Sequence, residues 1–395
     1  MKSETPSSYD EAAELLRGAA ADGRPVRFRG SGTKLGWGHP IPDPDLEICT
    51  EGLDRILEHN AGDFTAVLQA GVPLAVAEDA VAAAGQMLAL DPPTSPWGGA
   101  GDDAAVEAVD AGATVGGIVA TNDSGPMRHR YGGVRDLVVG IAFVLSNGTL
   151  CRAGGKVIKN VAGYDLGKLF AGAYGTLGLI AEVTVRLHPR PARTATVVTR
   201  SSDPTQLAAA AAMLAHAPLE ADCLDLWWDA GAGAVLARFG SADPGPRVEQ
   251  AAGLLRRIGG LSVDVEDDDD ACWEAQRAAQ RGDVVVKVSA LPATLPAVMA
   301  AAQALGGTLV TRAALGLAWV QLPAADGSAE TVARIESLRG SLAPAPCVVL
   351  DAPADVRAAL DPWGDETGPV GLMRKVKARF DPAGVCAPGL FVGGI

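Results

Sequence analysis

The chain reads as an α+β protein in two parts: a two-lobed first part of mixed helix and strand, then a cap of antiparallel sheet made from two ferredoxin-like units. Three observations predict this. At 395 residues the chain exceeds one compact core of ordinary size. Up to about residue 192, short alternating apolar runs are separated by glycine-rich loops, the pattern of small α/β lobes. From residue 193 the order strand-helix-strand-strand-helix-strand occurs twice, the split βαβ pattern of ferredoxin-like units. The expected boundaries are 1–192 and 193–352, with 353–395 returning to the first part.

Ser8 with Glu11 predicts a capping box for a helix through about residue 21, and PVRFRG predicts the strand that follows. Gly30-Ser31-Gly32-Thr33 comes directly after that strand. It is either a tight turn or a concavity of backbone N–H groups suited to an anion. Further strands are expected near Leu46 to Thr50, Phe64 to Gln69 and Met87 to Leu90, with an alanine-rich helix after Pro73 as its N1 residue. The second lobe opens with DPPTSPWGG, which contains Pro92. It continues through TVGGIVATNDSG into the strand DLVVGIAFVL, and Asn147-Gly148 predicts a hairpin turn of the primed type into TLCRAG. In TVGGIVATNDSG, Gly116 and Gly117 remove side-chain bulk, while Thr121, Asn122 and Ser124 offer hydrogen bonds; a helix start with polar caps explains the glycines alone.

The most distinctive stretch runs from Gly154 to Arg186. Gly172, Gly175 and Gly178 recur at threes just before the apolar alternation of Ile180 to Leu187, which indicates a backbone fitted closely against something. A Rossmann assignment fails, because that motif places its glycines between a strand and a helix and these precede a strand.

In the second part the first unit reads TATVVT, QLAAAAAMLAHA, CLDLWW, AVLARF, RVEQAAGLLRRI and LSVDVE. The second reads DVVVKVS, ATLPAVMAAAQAL, GTLVTR, LAWVQL, ETVARIESLR and CVVLDA. Trp227 and Trp228 point to opposite faces of their strand. The acidic run Glu266 to Asp270 has no nearby histidine and is expected to be a solvated linker that N-caps a helix from about Ala271.

Composition narrows the function classes. Hydrophobic residues make up 48% of the chain and charged ones 20%, as in a packed globular protein. A net charge of −14 argues against a nucleic-acid surface, which needs clustered Lys and Arg. The six cysteines are scattered, so no C-x-x-C unit holds zinc or an iron–sulfur cluster, and the expectation is reduced thiols in a cytoplasmic protein. The N-terminal MKSETPSSYDEAAELL lacks an apolar core and is not expected to be a signal peptide. No apolar run approaches the ~20 residues of a membrane span, so any membrane association is expected to be peripheral, at the inner face.

VIKNVAGYDLGKLFAGAYGTLG, preceded by TVGGIVATNDSGPMRHRYGGVRDLVVGIAFVLSNGTL and RFRGSGTKLGWG, resembles the PCMH-type FAD-binding domain of the vanillyl-alcohol oxidase superfamily. Within it, these motifs are similar to those of the E-subunit family of glycolate oxidase. The resemblance covers roughly residues 25 to 190, with an echo in MRKVKARFDPAGVCAPGLF, where Ala387 stands in place of Asn and Leu390 in place of Arg. It implies noncovalent FAD, because Thr33 occupies the position of the flavin-linking histidine. It also implies a cofactor site made of Arg29, Gly30, Ser31, Gly32, Thr33, Pro92, Gly116, Gly117, Ile118, Thr121, Ser124 and Ile180, the last through its backbone near the adenine.

The same resemblance implies a second FAD-containing subunit, an iron–sulfur subunit and a small 2-hydroxy acid such as glycolate. A related D subunit carries a histidine- and acid-rich metal motif in its cap, whereas His39, His59, His129, His188 and His216 are dispersed here, so no metal is expected. Arg128, His129, Arg130 and Tyr131 are the cationic cluster beside a flavin motif, open to several roles: clamp for a substrate carboxylate, contact to FAD phosphate, contact to a partner, or a structural or surface loop. Tyr164 and Asp165 are expected to anchor their turn, beside Lys159 and Asn160. No catalytic residue is assigned. Three readings stay open: FAD-binding subunit of a glycolate-type complex that takes hydride from the substrate and passes electrons on, self-sufficient FAD oxidase, and structural or electron-relay subunit.

Overall fold

The computed structural model describes residues 2–41, 44–93, 112–156, 163–267, 269–323, 325–366 and 368–395. The first lobe begins with β1 (Lys2–Glu4) and α1 (Tyr9–Asp22). Ser8 caps α1 by accepting from the Glu11 amide, while the Glu11 carboxylate reaches the Ser7 amide at 2.7 Å. Strands β2 (Val26–Arg29) and β3 (Leu46–Cys49) complete a parallel sheet in the order β1-β3-β2. α1 buries Ala12, Leu16 and Ala19 in a core shared with Val26, Leu46, Ile48 and Leu53.

The second lobe adds β4 (Ile56–Asn60), β5 (Thr65–Gln69), α2 (Leu74–Ala82) and β6 (Gln86–Met87). It continues with α3 (Val115–Thr121), α4 (Arg128–Tyr131), α5 (Val134–Leu137), β7 (Val138–Val144), β8 (Leu150–Gly154), α6 (Leu166–Phe170) and β9 (Leu179–Arg186). Five of these strands form an antiparallel sheet in the order β4-β5-β9-β7-β8, and β10 (His188–Pro189) pairs with β6.

Several local expectations change. β1 and β4 were not expected; β4 is an edge strand with a register shift whose side chains, ILEHN, lack clean alternation. The strand at Met87–Leu90 is reduced to Gln86–Met87, and Pro73 is the N-cap of α2 instead of its first residue. The β7–β8 turn is not of the primed type. Only Gly148 has positive φ (77°), the Gly148 amide donates to Leu145 O, and Asn147 Oδ1 accepts from the Thr149 amide at 3.0 Å. A type I′ turn needs positive φ at both central residues and a type II′ turn at the first, and Asn147, the first, has none.

The cap comprises β11 (Arg193–Ser201), α7 (Pro204–His216), β12 (Cys223–Asp229), β13 (Ala232–Ser241), α8 (Gly245–Leu255) and β14 (Ser262–Glu266). After α9 (Asp270–Ala278) come β15 (Val285–Ser289), α10 (Leu295–Ala304), β16 (Thr308–Arg312), β17 (Leu317–Gln321), α11 (Ser328–Leu342) and β18 (Cys347–Asp351). All eight strands form one sheet, β14-β11-β13-β12-β16-β17-β15-β18. Each half has its fourth strand at the edge beside its first, as ferredoxin-like units do, and the halves meet where β12 pairs antiparallel with β16.

Helices α7, α8, α10 and α11 cover one face of the sheet, burying Leu207, Leu226, Trp228, Phe239, Met299 and Leu338. The other face meets the first part, with Trp37 packed among Val285, Val310, Trp319 and Leu350 and against Tyr174. The two tryptophans divide as expected, Trp228 into the helix-covered core and Trp227 onto the opposite face. The acidic run is exposed at Glu266, Asp267 and Asp270, as a solvated stretch should be, but Asp269 departs from that expectation. Asp269 is buried and accepts from Arg238 (2.7 and 3.0 Å), Thr194 and Thr196, so its carboxylate cannot cap α9.

After α12 (Ala354–Ala359), α13 (Val370–Phe380) brings the chain back to the first lobe, where Cys386 bridges Val26 in parallel. Asp381 organises this return by accepting from Lys377 Nζ at 2.6 Å and from the Cys386 amide at 2.8 Å.

Candidate functional site

The glycine loop after β2 is pinned from both sides. Arg29 is held by Glu47 (2.9 Å), to which Arg27 also donates (2.6 Å). Burial works to raise the Glu47 carboxyl, but these two guanidinium groups outweigh it and lower its pKa. Gly30 lies against Thr114, so close that a Cβ would fall 2.1 Å from its hydroxyl, and Ser31 Oγ donates to Gly112 O. The amides of Ser31, Gly32, Thr33 and Lys34 donate to no other group among the described residues. Four successive N–H groups in one half-buried loop are the donors that an anion-binding nest requires.

α3 lies beside this loop. Thr114 caps it, accepting from the Gly117 amide at 3.2 Å, and the Gly116 amide donates to Ala70 O. Gly116 is small because β5's end crosses it, a Cβ there standing 2.6 Å from Ala70 Cβ. At Gly117 a Cβ would meet only Thr114 Oγ1 within 4 Å among the described residues, leaving open space beyond. Ile118 is buried core, and the Thr121 hydroxyl donates back to Gly117 O at 2.8 Å. Asn122 sits in the left-handed region (φ 54°), and its buried Oδ1 has no partner among the described residues.

Pro92 is buried next to Asp91, whose carboxylate accepts from the Met127 amide and from Arg277 Nη1. Ser124 Oγ accepts from Arg128 at 3.2 Å. Ile180 is a core residue of β9 opposite Phe143. The glycines at 172, 175 and 178 are fitted against protein: Asn122, Phe28 and the Val144 carbonyl respectively. Their loop is stapled to α3 by the Gly172 and Tyr174 amides, which donate to Val119 O and Ala120 O.

The cationic cluster at residues 128–131 splits. Arg128 turns inward toward Ser124, while Arg130 pairs with Glu220 and Asp222 of the cap. Burial and then the Arg130 charge lower the His129 pKa. Asp165 anchors its turn by accepting from the Lys168 amide at 3.3 Å, whereas Tyr164 contributes only its carbonyl, accepting from the Leu166 amide at 3.0 Å, its side chain being 89% exposed and without a hydrogen bond to any described residue. Lys159 and Asn160 lie outside the described residues.

Sequence reading missed the cap's contribution. Asp225, Trp227, Val310, Arg312, Trp319 and Lys287 share the face turned toward the first part, with Asp225 paired to Arg312 and Trp319 to Lys287 across strands. Arg312 donates to Asp225 at 2.6 Å, both fully buried, and stacks 4.8 Å from the Trp319 ring. Burial pushes the Asp225 carboxyl up, with Arg312 opposing. Lys287 lies 5.6 Å from the same ring and is pushed down to about 8, chiefly by burial, then by Arg128 and Arg312, with Asp123 opposing. The signal was present in LDLWW, VVVKVS and TLVTR, each a buried strand with one charge at an alternating position.

Residues 4–102 and 104–154 match the FAD binding domain family. The first part of the chain therefore carries an FAD-binding domain of the PCMH type, with FAD as the cofactor that domain supports. It is 36% identical over 185 residues to glycolate oxidase subunit GlcE of Escherichia coli (strain K12), an alignment covering 46% of this chain and 48% of that protein. It is 34% identical over 186 residues to glycolate oxidase subunit GlcD of Bacillus subtilis (strain 168), covering 47% and 36% respectively. The alignments thus span half or less of these relatives. An alkyldihydroxyacetonephosphate synthase structure shares the fold at TM-score 0.70, with 15% identity, covering 98% of this chain and 75% of that one.

The geometry fits FAD. The amide nest suits a pyrophosphate, the open side of Gly117 admits a flat ring, and the unpaired Asn122 Oδ1 is a polar atom awaiting a donor. No helix among the described residues is long and apolar enough to cross a membrane, and none of their His, Cys, Asp and Glu side chains group as a metal site.

Proposed function

We propose that this chain is the FAD-binding subunit of a 2-hydroxy-acid oxidoreductase complex of the glycolate oxidase kind, acting on the CH–OH group of a small acid such as glycolate. Residues 1–192 and 353–395 hold the cofactor and 193–352 form the cap. The observation that carries the reading is that Lys287 and Arg312 flank one Trp319 ring on the cap face turned toward the first part, while Arg128, bonded to Ser124, shifts the Lys287 pKa from the other side. One fully buried cation, Arg312, and two half-buried ones, with Arg312 and Lys287 sharing the Trp319 ring, suit a carboxylate, because charge-assisted bonds to it strengthen away from water.

Arg29, the nest at residues 30–33, Pro92, Gly116, Gly117, Ile118, Thr121, Ser124 and Ile180 surround the cofactor in this reading; the nest binds phosphate oxygens, and Gly117 leaves room for the ring. Bound FAD supplies the hydride acceptor. Lys287 and Arg128 bind the substrate carboxylate, Arg312 orients it while held by Asp225, and Trp37, Trp319 and Tyr174 exclude water. Burial keeps the Tyr174 hydroxyl protonated. Electrons leave to a second flavoprotein and an iron–sulfur subunit, since the described cysteines are single thiols without a cluster motif.

The test is anaerobic mixing of the FAD-loaded chain with glycolate and with D-lactate, alone and with the partner subunits. Flavin bleaching that requires Lys287, lost in Lys287→Met, is the expected result. Absence of bleaching under every condition would overturn the reading and leave a structural role.

A further inference from the structure

A single turn of the cap reaches three separate segments of the proposed cofactor site. At the end of α9, Arg277 donates to Asp91 at 3.1 Å, next to Pro92. Gln280 Nε2 donates to Ser124 O and Arg281 Nη2 to Thr33 O, both at 3.3 Å. The turn is itself rigid. Gln321 Nε2 donates to Ala279 O (2.8 Å) and Arg281 O (2.9 Å), and Arg312 donates to Gln280 Oε1. Arg281 is buried and makes two bonds to Asp351, whose Oδ1 also accepts from Trp37 Nε1 at 2.9 Å. Its guanidinium lies 5.4 Å from the Trp37 ring.

The contact with Thr33 has a directional consequence. A trans peptide unit is planar, with its C=O and N–H pointing to opposite sides. A donor fixed on Thr33 O therefore fixes the direction of the Lys34 N–H, the fourth amide of the nest. We propose that Arg281 is a positioning residue for the cofactor: from the cap, it holds the Thr33–Lys34 peptide so that the Lys34 amide faces the FAD pyrophosphate. Cofactor binding and cap docking are then one coupled equilibrium, and the coupling is reciprocal. This rests on the loop at residues 30–33 being the pyrophosphate site.

The test compares FAD with riboflavin, which has the ring but no phosphates, by flavin fluorescence titration of the apoprotein. Removing Arg281 alone strands Asp351 as a buried unpaired charge, so the main variant is the double change Arg281→Gln with Asp351→Asn, and the second is Arg281→Lys. The double variant is expected to bind FAD on the order of tenfold more weakly, with riboflavin affinity unchanged. Arg281→Lys, which can donate to Thr33 or Asp351 but not in the same fork, should fall between it and the wild type.

Unchanged FAD affinity in the double variant would overturn the proposal. So would an equal loss for both flavins, which would mean that Arg281 only docks the cap. If neither variant folds, Gln321→Leu, which removes the two bonds that hold the turn carrying Arg281 and leaves Arg281 in place, must weaken FAD and spare riboflavin. Unchanged FAD affinity there would overturn the proposal in the same way. A wild-type chain that binds neither flavin would instead refute the cofactor site itself.

Discussion

Ala387 shows how one side chain records a departure from the family pattern. It holds φ 41° at the bridge to β2, a conformation that costs an L-residue with a Cβ about 1–2 kcal/mol and that asparagine or glycine tolerates better. Ala387→Gly is therefore expected to stabilise the first part by roughly 1 kcal/mol, read as a higher midpoint in urea. Leu390, the other departure, uses its backbone carbonyl to accept from the His39 amide (3.0 Å) and Trp363 Nε1 (3.1 Å). Any side chain keeps those bonds, so the fold does not need arginine there. Gly117 is the complementary case. Filling its open side with Val should abolish FAD retention while the soluble yield holds; tight FAD binding by Gly117→Val would show that the space beside α3 is not where the ring lies.

Among elements, the acidic run into α9 carries the clearest lesson about what a sequence can show. EDDDD looked like solvated charge because its partners Arg238, Thr194 and Thr196 are supplied by strands 30 or more residues away. Regular alternation made the cap's strands and helices legible in order, and the glycine motifs marked the loops where backbone is closely approached. The cation set at Lys287 and Arg312 was not, since it exists only once β12, β15, β16 and β17 are laid side by side. The Gly172, Gly175 and Gly178 series announced a close approach but not its partner, which is protein. Asp269→Asn should destabilise the cap by about 3 kcal/mol in urea unfolding, because it leaves the buried Arg238 without its main counter-charge. A change under 0.5 kcal/mol would mean that Asp270, exposed beside it, suffices.

For the whole molecule, Lys287 links stability and anion binding with opposite signs. Its pKa is about 8 in the folded chain against roughly 10.5 when unfolded. Between those values the unfolded chain holds the extra proton, so this group's contribution to stability rises as pH rises through that window. Carboxylate binding goes the other way, weakening as Lys287 loses its charge above about pH 8. The KM for the acid is expected to rise through pH 8 to 9 in the wild type and to stay flat in Lys287→Arg; a flat wild-type profile would remove Lys287 from the carboxylate site. One consequence follows from the seam between the two ferredoxin-like units. Asp225 belongs to the first unit and Arg312 to the second, and their ion pair is wholly buried where β12 meets β16. Each half of the cap therefore hides half of a charge, so neither could be exchanged, shortened or inherited alone without leaving an unpaired ion in the core of the other. What looks like a tandem repeat is bound to evolve as one unit.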